Sequence, residues 1–255
     1  MGEAKAPDPL EAWQAAGLRV TLFCPPLPKI EQPTWWTDLV GYPPDQVISQ
    51  PKAGQYQEEG IAEDRKLVLQ VQPERVDWHF VPRELPPGEV IEIPSTGSLP
   101  EALAVFAKLV GRWLSVSPPV TRLALGAVLF QPVENREAGY TQIGNYLPVI
   151  KLDPKGSTDF FYQINRPRIS QTVKSLRLNR LSKWSVLIFQ SFGVTLDKKE
   201  VQTVGYKDPK SACRLEFDIN TSEDFRGELP RETLPRLFQE LVDLGKEIAA
   251  TGDRP

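Results

Sequence analysis

Between Ser98 and Val133 the apolar positions change their period once. Leu99, Leu103, Phe106, Val110 and Trp113 recur at steps of three and four, with Glu101, Lys108 and Arg112 on the opposite side. This spacing predicts an amphipathic helix over 99–114. Ser98-Leu99-Pro100-Glu101 has the form of a capping box, in which the serine hydroxyl accepts from the third helical amide and the glutamate reaches back. Pro100 falls in the first turn, where its missing N–H leaves no bond unmade. Ser117-Pro118-Pro119 ends the helix, because a residue before proline avoids the helical region. Beyond it, Leu123, Leu125, Ala127 and Leu129 alternate with Ala124, Gly126 and Val128. Both faces are apolar, so this reads as a central strand. Its small-residue face is expected to receive the preceding helix.

The same reading places further elements along the chain. Leu10 to Ala16 suggests a short helix and Leu18 to Phe23 a strand. Residues 28–52 read as an irregular wrap pinned by Trp35 and Trp36. Alternation predicts strands at Gln55 to Ala62, Lys66 to Gln72 and Arg75 to Val81. Residues 82–97 are a loop and 134–139 a polar linker. Tyr146 to Leu152, Asp159 to Asn165, Ser170 to Asn179 and Trp184 to Phe192 are further strand candidates. Lys207 to Lys210 reads as a turn. Cys213, Leu215, Phe217 and Ile219 alternate with Arg214, Glu216 and Asp218, which predicts a half-buried strand. Leu234, Phe238, Leu241, Leu244 and Ile248 predict a last helix, with Gly252 at its C-cap.

Two stretches look alike. Ser98-Leu99-Pro100 and Thr233-Leu234-Pro235 each open a helix, and a strand precedes each one. The expected fold is therefore α+β in two similar halves, 1–139 and 140–255. Each half is a mostly antiparallel sheet covered by one long helix, and the two form one compact unit.

In element order, and in Arg122-Leu123-Ala124-Leu125 and Leu215-Glu216-Phe217-Asp218, the chain resembles a sporadically distributed family of uncharacterised bacterial proteins. Members have an Arg-Leu-x-Leu strand after a helix and a late Leu-x-x-Asp strand before a C-terminal helix. Where the family strand continues with an aromatic and an asparagine, this chain has Ala127 and Leu129. The resemblance implies an order of elements and brings no activity with it.

Composition narrows the chemistry. A net charge of −3 does not mark the whole chain for nucleic acid, and no apolar run reaches membrane-spanning length. No signal-peptide pattern opens the chain, so a cytoplasmic location is expected. Cys24 and Cys213 are expected to be two buried thiols in a reducing compartment. The sole histidine, His79, lies beside Asp77 and could be a base oriented by a carboxylate, but a solvated strand residue is the expectation. One histidine and two distant cysteines cannot complete an ordinary zinc site. Neither common phosphate-binding turn occurs, and no cofactor is expected. Glu58, Glu59, Glu63 and Asp64, or Glu216 and Asp218, could offer oxygen ligands to a divalent cation, yet such clusters are more often solvated faces.

One charge segment departs from the rest. Residues 160–196 contain no Asp or Glu but hold Arg166, Arg168, Lys174, Arg177, Arg180 and Lys183, together with Trp184. These six cations against a total of −3 leave the remainder at −9. They form the candidate binding residues, as a basic face for an acidic protein or for single-stranded nucleic acid. The opposing reading sets them against acidic elements of the same molecule. With bases and nucleophiles nearly absent, the expected function is a non-enzymatic binding or adaptor protein acting through protein contacts. The second reading is a nucleic-acid-binding accessory factor using 160–196.

Overall fold

The computed structural model describes residues 8–27, 34–83, 93–189, 192–197, 200–205 and 210–254, with 192–205 described by backbone alone. In chain order the elements are β1 (Gln14–Phe23), α1 (Trp35–Val40), β2 (Gln46–Gln50), β3 (Gln55–Ala62), β4 (Arg65–Gln72) and β5 (Arg75–Val81). Then come α2 (Leu99–Leu114), β6 (Arg122–Val133), α3 (Arg136–Tyr146), β7 (Phe161–Asn165), β8 (Arg168–Ile169) and β9 (Arg177–Phe189). The last are β10 (Phe192–Asp197), β11 (Glu200–Gly205), β12 (Lys210–Thr221) and α4 (Leu234–Thr251).

The expected α+β class is found, built on one continuous antiparallel sheet. Its order is β2-β3-β4-β5-β1-β6-β12-β9-β7, with β8 also on β9, while β10 and β11 form a separate pair. β1 and β6 are the central pair, in register at Leu18–Ala127, Arg19–Gly126 and Val20–Leu125. β6 also pairs with β12, so no break in the sheet falls near residue 139.

Alternation decides which face is dry. Leu18, Val20 and Leu22 of β1, Leu123, Leu125 and Leu129 of β6, and Leu215, Phe217 and Ile219 of β12 are all buried beneath the helices. α2 lies over β1 and against α4, whereas α4 covers β6 and β12 and α3 covers β12 and β9. This corrects two expectations. The helix over 99–114 does not cover β6, and the small residues Ala124 and Gly126 do not receive a helix. The leucine face of β6 is the dry one, because it offers more apolar area to bury. Close approach of α4 depends on Gly245, where a Cβ would stand 2.7 Å from the ring of Phe217.

Other differences have local causes. Residues 10–13 form a turn and not a helix: Ala15 exchanges backbone bonds with 96–97, and Trp13 accepts from the Leu99 amide, which ties this segment to the start of α2. The Ser98 hydroxyl makes no capping bond. Glu101 bonds Arg65 instead, at 2.8 Å. Residues 134–139, expected to be a polar linker, run into α3, capped by Asn135, whose side chain accepts from the Ala138 amide at 2.9 Å. The strand expected at Tyr146 to Leu152 is instead the end of α3 followed by a turn and irregular chain. The buried residues of α3 are Gly139, Tyr140, Ile143 and Tyr146, too few large apolar groups to make a stripe. Of the strand expected at 170–179 only Arg177 to Asn179 is strand, because 170–176 is a loop after the short β8, and the same strand, β9, runs on through 184–189. The wrap at 28–52 contains α1 and β2, with Trp36 fully buried. The turn expected at 207–210 lies almost wholly outside the described residues. Cys24 and Cys213 are free and buried. No helix among the described residues is long and apolar enough to cross a membrane.

Candidate ligand-binding trough

Of the two readings of the basic segment, an exposed face or cations set against acidic elements of the same molecule, the structure favours the second for most of its residues. Arg166 pairs with Asp253, which also accepts from the Tyr162 hydroxyl at 2.7 Å. The Arg166 hydrogen bonds, more than any other cause, hold the Asp253 carboxyl below the usual carboxylate range. Arg168 grips Glu247 through both terminal nitrogens, at 2.8 and 2.6 Å. Arg180, with 4% of its side chain exposed, donates to the same Glu247 at 3.1 Å. Arg177 pairs with Asp224 at 2.5 Å, and Lys183 stands 3.7 Å from Glu216. Lys174 is exposed. Trp184 is fully buried between Trp13 and Tyr146, so its ring offers no face to a base. The acids missing from 160–196 are thus supplied largely by α4 and the residues after it.

The acidic candidates are also divided. Pleating sends Glu58 to the helix side, where it is buried and accepts from the Tyr56 hydroxyl at 2.5 Å. Glu59 lies on the other side beside Lys66. Glu63 and Asp64 make the β3–β4 turn, both with positive φ. Among the described residues no three His, Cys, Asp or Glu side chains converge as a metal site.

The sheet face that carries no helix among the described residues holds a trough of about 610 Å³. One row of its floor crosses four neighbouring strands in register: His79 on β5, Arg19 on β1, Gly126 on β6 and Asp218 on β12. Gly126 explains how the row closes. Its missing side chain lets the Arg19 guanidinium lie across β6, 3.5 Å from where a Cβ would be. From there Arg19 Nη2 reaches Asp218 Oδ2 at 3.3 Å. The other Asp218 oxygen accepts from Asn220 at 2.6 Å, and Asn220 in turn accepts from Asn179 at 3.0 Å. Gly17, at a register shift in β1, bares a second part of the floor. Val81, Val128, Phe130 and Leu181 supply apolar walls.

The floor is short of acceptors. Among the described residues, His79 Nε2 and Arg19 Nε have no hydrogen-bond partner. A buried donor left unmet costs about 1–3 kcal/mol. Burial, the largest cause, pushes the His79 imidazole below its ordinary 6.5, with Arg19 and Arg75 adding and Asp77 opposing. Asp77, the carboxylate expected to orient it, is held by Thr21 at 2.5 Å and by Arg75 at 2.6 and 2.9 Å. His79 is thus neither a freely solvated residue nor hydrogen-bonded to a carboxylate.

Arg19 and Gly126 are the site residues that the sequence did not single out. The available signal was a lone arginine in the otherwise apolar or hydroxylic run of residues 18–23. Fold and site together define an α+β protein whose sheet, among the described residues, has one helix-covered face and one grooved face free of helices. No family model matches the chain, and no curated protein is similar to it.

Proposed function

We propose that this chain is a binding protein without catalytic chemistry, acting through protein contacts, and that a segment of its partner lies in the trough. The observation that carries this reading is the trough floor, where polar nitrogens of Arg19 and His79 have no hydrogen-bond partner among the described residues, within a groove walled by apolar side chains. An extended peptide provides both carbonyl acceptors and alternating side chains for such a surface. The nucleic-acid reading has less support, because Arg166, Arg168, Arg177 and Arg180 are engaged by carboxylates of this chain and would have to leave them.

A displayed-peptide library panned on the purified chain tests the proposal. The parent is expected to enrich a related set of peptides, and Gly126→Leu, which fills the middle of the trough, is expected to enrich none of them. Urea melts within about 1 kcal/mol of each other would establish that the variant is folded. Enrichment of the same peptides by the variant, or of none by the parent, would sink the reading.

We also infer that the two sets of elements are copies. The support is the sheet order, in which β3-β4-β5-β1 and β7-β9-β12-β6 meet at the central pair, each set closing its chain order with a long helix that opens Leu-Pro. On this reading the repeat begins at β6, so the copies are β1 to α2 and β6 to α4.

A further inference from the structure

The charge balance of the open face differs from that of the helix side. Arg19, Lys183 and Arg214 share two carboxylates, Asp218 and Glu216. Arg214 holds Glu216 closely, and Lys183 is left at 3.7 Å from the same carboxylate. Arg19 has one acceptor among the described residues, at 3.3 Å, although a guanidinium carries five N–H donors. Among the described residues one positive charge is therefore in excess, and it sits beside donors with room around them: the side chains of Arg19 and Lys183 are 37% and 38% exposed.

Geometry fixes where an anion would go. The trough runs across β5, β1, β6, β12 and β9. At ordinary strand spacing that is about 19 Å, the length of about six extended residues. The Arg19 guanidinium lies over β6, the middle strand of the five. Val81 stands toward one end and Leu181 toward the other. We propose that the trough binds an internal segment of a partner protein in which one acidic side chain is flanked by apolar residues, its carboxylate bonded by Arg19 and faced by Lys183 and His79. This rests on the reading of the trough as the binding face. The carboxylate supplies the charge that the floor lacks, and its apolar neighbours meet the walls. The ion pairs around it are partly exposed, so the anion joins a network already in water's reach and is not taken into a dry site.

Since His79 is the only histidine, its Cε1–H signal in proton NMR reports on the trough without assignment. The full chain is titrated with acetyl-Gly-Val-Glu-Val-Gly-amide, with the glutamine analogue, and with acetyl-Gly-Val-Val as a free acid. The glutamate peptide is expected to shift the His79 signal saturably and to bind at least about tenfold more tightly than either of the others, about 1.4 kcal/mol. Arg19→Gln is expected to remove that difference. Equal affinity of the glutamate and glutamine peptides would overturn the carboxylate while leaving the trough as a binding face. Tighter binding of the free acid would overturn the internal segment. A His79 signal unmoved by all three would overturn the proposal, and library selection would then judge the trough separately. The comparison among peptides uses the parent alone, so it holds even if Arg19→Gln fails to fold.

Discussion

Replacing Phe106 by alanine is expected to lower the free energy of unfolding by about 3–5 kcal/mol, through lost transfer energy and the cavity left behind. Phe106 is fully buried in the middle of α2 and stacks on Phe80 of β5 with ring centroids 5.6 Å apart. It therefore fastens the helix to the sheet beside β1. Its surroundings are stiff: Phe80, Leu103, Val110 and Leu67 are themselves at most 1% exposed, so little can move in to fill the space. Urea denaturation followed by far-ultraviolet circular dichroism measures the effect as a lower midpoint at unchanged slope. A melt overlapping that of the parent would show that α2 does not close this core.

Glu247→Ala is expected to cost about 3 kcal/mol, the lower end of what breaking a buried ion pair costs. Glu247 holds two guanidinium groups, Arg168 and Arg180. Arg180 is the expensive one, because its side chain is 4% exposed and would keep its charge without a carboxylate. Its Nε already lacks a partner, and burial pulls its pKa below the ordinary value despite Glu247. The lower end applies because Glu247 is itself 36% exposed and water can take part of its place. Adding Arg180→Met should recover most of the loss, since an apolar side chain of similar size leaves no charge to strand. Urea melts of the single and double variants check both statements. A single variant within about 0.5 kcal/mol of the parent would mean that the cations of 160–196 are not bound up in the fold.

What could be read from the chain follows how local the cause was. α2 and α4 declare themselves through stripes of large apolar residues, and β3, β4, β5 and β12 through alternation, because each of these patterns is set within a few residues. α3 has no such stripe: one glycine, two tyrosines and one isoleucine are its buried residues, so its sequence reads as linker. The start of β1 reads locally as a helix because its partners lie at 96–99, which no local pattern announces. The basic segment was visible as composition, but its meaning depended on α4 lying across it. Arg166, Arg168 and Arg180 are each more than 60 residues away in sequence from the acids they meet. The trough was least legible of all. His79, Glu216 and Asp218 could each be picked out by type, yet the row they form with Arg19 and Gly126 exists through the register of four strands. Gly126 in particular looked like room for a helix and proves to be room for a guanidinium.

The most direct test of the binding face is a map of amide shift changes in the nitrogen-15-labelled chain as a library-selected peptide is added. The account predicts changes at residues 16–19, 79–81, 126–130, 181–183 and 214–218, with the solvent side of α2 and α4 unmoved. Changes centred on α2 and α4, or on Arg166, Arg168 and Lys174, with the trough silent, would contradict it.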